Sequence, residues 1–151
     1  MKVCFAASMG GHLEEIEQLK ALCGIYDSFL ITEKNDFQHV AMGRRTYFLP
    51  HLNRKEKGFL PAFLRLFVTA WKILREERPD YVISTVALIT YPVSVVAKIM
   101  GIRVIYIESF ARIDTLSMTG KLMYPIADLY IVQSLHLKEQ YKKAIYGGCI
   151  F

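Results

Sequence analysis

Cysteine is scarce in this chain. Cys4, Cys23 and Cys149 are odd in number, widely spaced and in no metal-ligand pattern, which excludes a disulfide scaffold and reads as reduced thiols in a cytosolic protein. Long apolar runs are scarce too. Only Val3 to Met9 separate Lys2 from the Gly10-Gly11-His12 turn, too few for a secretory signal, and no small-residue cleavage site follows. The longest uncharged run, Tyr81 to Ala97, has 17 residues and carries Ser84, Thr85, Thr90, Pro92 and Ser94, so it reads as a buried strand, a loop and a helix instead of a membrane span. A dinucleotide fingerprint, a Lys-Ser/Thr phosphate loop, internal repeats and low-complexity tracts are all missing. The first of these absences argues against a free-standing nucleotide-sugar epimerase.

What is present is an excess of both apolarity and positive charge. Hydrophobic residues make up 53% of the chain and charged ones 22%, far from the composition of a disordered segment. Nineteen basic against fourteen acidic side chains give a net charge of +5. No recognised nucleic-acid motif accompanies that charge, so nucleic acid is not an expected partner.

Apolar runs and helical periodicities alternate along the chain. Strands are expected at Val3–Ala7, Ser28–Thr32, Thr46–Leu49, Tyr81–Ser84, Ile102–Ile107 and Leu129–Val132. Leu13, Ile16, Leu19 and Leu22 recur at three-residue steps, which predicts a helix closed by Gly24, with Glu14, Glu15, Glu17 and Lys20 on its polar side. Further helices are expected at Phe59–Glu77, ended by Pro79, at about Tyr91–Met100, capped by Gly101, near Thr119–Tyr124 and at Leu135–Lys143. Ala144–Phe151 is read as a final extended piece. Nearly continuous apolar strands alternating with helices indicate a single α/β domain over residues 1–151, a Rossmann-like doubly wound parallel sheet covered on both faces.

Ligands of such sheets bind at the carboxyl ends of the strands. Three loops follow strands there. In Ser8-Met9-Gly10-Gly11-His12, paired glycines would let backbone amides approach an anion, and His12 would donate to a phosphate or act as a base; an ordinary strand-to-helix turn explains the glycines equally well. In Ser84 to Thr90 the hydroxyls either meet a ligand, Thr85 foremost, or cap the next helix. In Glu108-Ser109-Phe110-Ala111-Arg112, an acid directly after the most apolar strand needs a partner or a solvated cleft, and Arg112 is placed either to pair with it or to grip a phosphate.

The same residues carry a family resemblance. Gly10-Gly11-His12, Pro79-Asp80, Tyr106 to Arg112, Leu116-Ser117-Met118-Thr119-Gly120-Lys121-Leu122 and Ala127-Asp128 to Gln133 occur in an order that resembles the membrane-associated subunit of two-part UDP-sugar glycosyltransferases. In eukaryotes that subunit anchors the N-acetylglucosamine transferase that adds the second sugar to dolichol-diphosphate, and bacterial relatives act in capsule and exopolysaccharide assembly. The Gly-Gly-His turn is also shared with the transferase that makes lipid II. The resemblance covers essentially the whole chain and implies the N-terminal, acceptor-binding half of a GT-B glycosyltransferase, peripheral on the cytoplasmic face of the membrane. A separate subunit would supply the nucleotide-sugar site, and residues 141–151 fall where the family's tail reaches that partner. Three departures stand out: the sequence starts directly at the first strand, before which the eukaryotic relatives carry a transmembrane segment, Val86 stands where glycine is expected, and Ser134 replaces the tryptophan that often follows Gln133.

On this reading the acceptor is a polyprenyl-diphosphate-linked saccharide held by Ser8, Gly10, Gly11, Thr85, Ser109 and Arg112. His12 and Glu108 are the competing base candidates. Neither a metal nor a cofactor is expected, and the UDP-sugar is bound mainly by the partner. A scaffold that only recruits and stabilises the catalytic subunit is the alternative. Residues 44 to 78 hold nine basic and three acidic side chains, so this segment carries more than the whole net charge of the chain. Phe59, Phe63, Phe67 and Trp71, with Arg65 and Lys72, are therefore expected to meet an anionic membrane surface.

Overall fold

The computed structural model describes residues 1–34, 42–52 and 58–151. Seven apolar segments pair in one parallel sheet: β1 (Lys2–Ala6), β2 (Asp27–Glu33), β3 (Thr46–Leu49), β4 (Tyr81–Thr85), β5 (Arg103–Ile107), β6 (Leu129–Val132) and the two-residue β7 (Ile145–Tyr146). Their order is β3-β2-β1-β4-β5-β6-β7. The chain therefore winds one way from β1 and the other way from β4. Ala6 and Ser84 are register partners at the end of these neighbouring strands, so their two following loops diverge from a topological switch point.

Strand alternation sorts the side chains into two cores. Cys4, Ala6, Phe29, Ile31, Val82, Val104 and Tyr106 face α2 (Phe59–Glu77), α3 (Thr90–Ile99), α4 (Met118–Met123) and α5 (Leu135–Gln140), while Val3, Phe5, Leu30, Ile83 and Ile107 face Leu13 and Ile16 of α1 (Gly11–Glu17). The uncharged run from Tyr81 to Ala97 is β4, a loop and most of α3, as its Pro and hydroxyl content predicts. Among the described residues no helix is long and apolar enough to cross a membrane.

Two helix ends follow their sequence cues. Arg78 ends α2 in the left-handed region, with φ 48°, just before Pro79, and Gly101 turns the chain after α3 with φ 77°. One expectation fails. The helix predicted through Leu22 stops at Glu17 and gives way to a 3-10 turn over Lys20–Gly24, and Gly24 is not a left-handed cap. A constant three-residue step is the period of a 3-10 helix, so the repeat 13, 16, 19, 22 drifts round an α-helix instead of marking one face. α5 is also shorter than expected, ending at Gln140. Residues 35–41 and the basic stretch over 53–57 lie outside the described residues.

The amino edge of the sheet is tied by one acid. Glu77, 5% exposed at the end of α2, accepts from Tyr47 Oη at 2.7 Å, Lys2 Nζ at 3.0 Å and Arg44 Nη2 at 2.5 Å. Burial alone would raise its carboxyl, but the donors of Tyr47, Lys2 and Arg44 outweigh it and hold the pKa at about 2, against an ordinary 4.5. Arg45 adds contacts to Glu76 and Tyr47. Part of the basic segment is thus spent on internal ion pairs. Arg44 and Arg45 are not free for a membrane, and Arg54, Lys55 and Lys57 lie outside the described residues.

Candidate functional site

The three sequence-marked loops meet at the carboxyl edge, around a cleft of about 760 Å³. Ser8, Met9 and His12 line it from the β1 loop, Val86 to Leu88 from the β4 loop, and Arg112 with Ser117 to Thr119 from the stretch after β5. Lys34 and His51, at the ends of β2 and β3, complete the wall beside Glu33, whose Oε2 is 3.5 Å from His51 Nδ1. Among the described residues, cationic and imidazole groups of the lining thus outnumber its one carboxylate. A larger hollow of about 860 Å³, beside Arg75, Arg78 and Arg103, lies at the opposite, amino edge, away from every strand-end loop. The switch point makes the smaller cleft the candidate site.

Gly10 starts the site. Its φ of 77° and ψ of −149° belong to glycine, and its carbonyl accepts from Leu13 N at 2.9 Å and Glu14 N at 3.2 Å to open α1. This places His12 in the first turn, its side chain about a third exposed toward the cleft. Gly10 and Gly11 are themselves exposed, and nothing among the described residues crowds the position of a Cβ on either. Thr85 does not face the cleft as a free hydroxyl. It is buried, and its Oγ1 donates to the His12 carbonyl at 3.1 Å, fastening β4 to α1. Nor does a hydroxyl cap α3: Ile89 holds the N-cap position, while Thr90 Oγ1 donates back to the Ala87 carbonyl at 2.8 Å.

Glu108 is not in the cleft wall. It is 0% exposed, and its carboxylate accepts from Ser109 N at 3.1 Å, Ser117 N at 3.2 Å, Ser117 Oγ at 3.3 Å and Tyr130 Oη at 2.9 Å. Ser117 Oγ in turn accepts from Gly120 N at 2.8 Å as the N-cap of α4. A Cβ on Gly120 would stand 1.9 Å from Glu108 Oε2, so only glycine admits the carboxylate at this depth. Burial first, then the charge of Glu108, pushes both Tyr106 and Tyr130 far above the ordinary phenol value and keeps them protonated as donors. Glu108 therefore folds the loop and α4 onto β6, and the geometry leaves His12 as the base candidate. Arg112 forms no ion pair with Glu108 among the described residues; its exposed guanidinium faces the cleft instead.

The acid that does reach His12 is Glu15, which the sequence reading assigned to the polar side of α1. It is 1% exposed, and its Oε2 lies 3.5 Å from His12 Nδ1. Its other oxygen accepts from Phe110 N at 2.8 Å, Ser109 Oγ at 3.2 Å and Gln133 Nε2 at 3.5 Å. Ser109 thus serves Glu15 instead of an open ligand position. Gln133 also donates to the Glu108 carbonyl at 3.0 Å and accepts from Ile150 N at 2.8 Å, while Phe151 packs edge-on against Phe110 with centroids 4.8 Å apart. The signal was available in the sequence: positions three apart share a helix face.

The aromatic face of α2 is rearranged relative to expectation. Phe63 and Phe67 pack against the core, and Phe59 is half-buried and stacks on Phe63. The outward stripe is Leu60, Leu64, Val68 and Trp71, exposed by 65%, 56%, 57% and 42%, with Arg65 and Lys72 exposed beside it. Since α2 connects the carboxyl end of β3 to the amino end of β4, Leu60 and Leu64 lie at the end of the helix nearer the cleft edge.

Among the described residues no group of three or more His, Cys, Asp or Glu is arranged to hold a metal ion. The profile of the family described as "Oligosaccharide biosynthesis protein Alg14 like" matches residues 60–150. The UDP-N-acetylglucosamine transferase subunit ALG14 of Rattus norvegicus is 28% identical over 173 aligned residues, covering 95% of this chain and 80% of that protein. The Mus musculus protein of the same name is 30% identical, covering 68% and 51%. In structure the chain resembles MurG of Acinetobacter baumannii, with TM-score 0.73, 13% identity and coverage of 89% of this chain and 42% of that one. It equally resembles the UDP-GlcNAc 2-epimerase of Methanocaldococcus jannaschii, with TM-score 0.76, 13% identity and coverage of 99% and 47%. The chain thus spans less than half of either solved structure, and the shared element is the Rossmann-like fold.

Proposed function

The chain belongs to the Alg14-like family of oligosaccharide biosynthesis proteins, and from that premise we propose that it is the acceptor-binding, membrane-recruiting subunit of a heteromeric UDP-sugar glycosyltransferase. The donor site would sit on a separate subunit, and the acceptor would be a polyprenyl-diphosphate-linked saccharide of capsule, exopolysaccharide or glycan assembly. The observation that carries this reading is the cleft at the switch point, which His12, Lys34, His51 and Arg112 line. A histidine and surplus cations suit it to an anionic, phosphate-bearing acceptor.

Arg112 and Lys34 are suited to the acceptor diphosphate, Arg112 through its planar fork and Lys34 as a point charge. The sugar hydroxyl would attack the donor's anomeric carbon. Its proton passes to His12, the new C–O bond forms as the bond to UDP breaks, and UDP leaves with the electron pair. A positioned base of this kind contributes about 10²–10⁴ in rate. In the complex reconstituted from this chain and its partner, His12→Ala should lower sugar transfer by that factor while both subunits still co-purify. Full activity in His12→Ala would favour the scaffold role and sink the catalytic one.

Membrane recruitment is assigned to α2. Leu60, Leu64, Val68 and Trp71 repeat at helical spacing on the solvent side with Arg65 and Lys72 alongside, the combination that suits an anionic interface. The helix would lie along the cytoplasmic face, peripheral to the bilayer, with its amino-terminal end beside the cleft.

A further inference from the structure

We propose that Glu15 is the positioning residue of His12 and that it decides which imidazole nitrogen faces the acceptor. The inference rests on the reading of His12 as the base and deepens it. A carboxylate can only accept hydrogen bonds, so Oε2 at 3.5 Å from Nδ1 draws the ring proton to Nδ1 and leaves the Nε2 lone pair for the cleft. The distance is long for a finished hydrogen bond and suits a site without substrate, where such contacts tighten on binding.

Glu15 itself is held against rotation. Phe110 N and Ser109 Oγ grip Oε1 from the β5 loop, Gln133 reaches it from the end of β6, and Thr85 fixes the backbone of His12 from β4. Three strand ends, those of β4, β5 and β6, thus converge on one histidine–carboxylate pair. When the sugar proton moves to Nε2, the charge of the imidazolium is balanced by the Glu15 carboxylate beside Nδ1.

Glu15→Gln tests this with an isosteric change. The amide oxygen keeps the bonds to Phe110 N and Ser109, which turns the amide NH₂ toward Nδ1. A donor there sends the ring proton to Nε2, so the cleft meets a donor where it needs an acceptor. Nitrogen-15 NMR of the chain at about pH 8.5, where an ordinary imidazole is neutral, reads the tautomer. The wild type should carry its proton on Nδ1 and Glu15→Gln on Nε2. In the reconstituted complex, kcat should fall by about 10²–10⁴ with the acceptor KM within about threefold. A purely structural Glu15 would leave the tautomer of His12 unchanged between the two proteins. A wild-type proton on Nε2 overturns the proposal even should the variant fail to fold. Wild-type turnover in Glu15→Gln beside an inactive His12→Ala overturns it while sparing the base. Wild-type turnover in His12→Ala removes the base and the proposal together.

Discussion

Glu77 offers a quantitative test of how the amino edge is held. Its carboxyl titrates at about 2 in the folded chain and near 4.5 when exposed. At about 1.4 kcal/mol per tenfold change in proton affinity, the paired carboxylate contributes about 3 kcal/mol to stability at neutral pH. The sign follows from the depressed value: the contribution is complete above the unfolded pKa and is lost as pH falls toward the folded one. About 2 kcal/mol should be gone by pH 3 and about 3 by pH 2, out of a total of roughly 5–15 kcal/mol for a domain. Other acids titrate in the same range, so the measurement is a difference. Urea unfolding of wild type and Glu77→Gln at a series of pH values cancels the remote groups and leaves the Glu77 term. The variant should be less stable at pH 7, since it strands Lys2 and Arg44 against a neutral amide. The gap should then narrow on acidification, mostly below about pH 4.5. A gap constant to within about 0.5 kcal/mol down to pH 3 would refute the assignment of the Lys2, Arg44 and Tyr47 contacts as the cause.

Two further outcomes are expected. Gly120→Ala forces a methyl against Glu108 Oε2 and Tyr130 Oη, so it should cost on the order of 1–3 kcal/mol and lower Tm by about 2–4 °C per kcal/mol; an unchanged calorimetric melt would show that the Glu108 cluster yields freely. Leu64→Glu, on the solvent side of α2, should leave the melting curve intact and reduce flotation with anionic vesicles about tenfold, whereas equal flotation would remove the helix from the membrane interface.

The sheet was legible because its strands are short, apolar and bounded by turn residues, and β3, α2 and β6 fall on their expected bounds. α1 was not, because a three-residue leucine repeat suits two helix types and only packing decides between them. The three loops were located correctly as loops, yet individual side chains were misread in one consistent way. Glu108, Ser109 and Thr85 looked like ligand contacts because a polar residue after an apolar strand needs a partner, and sequence does not say that the partner is another part of the chain. Glu15 looked like solvent surface because its neighbours Glu14 and Glu17 are polar. A carboxylate's burial depends on what the β5 and β6 loops bring to it, here a backbone amide, a hydroxyl and a carboxamide whose placement has no sequence signature.

Gln133 divides its amide between two customers: the nitrogen serves the Glu15–Glu108 side and the oxygen holds Ile150. With Phe151 resting on Phe110, whose own amide holds Glu15, the last residues are wired to α1 by two short routes. For anyone labelling this protein, Phe151 is therefore a poor position for a fluorophore or a surface tether. A pull there is delivered to His12, and a measurement on a chain labelled there would report the handle along with the site.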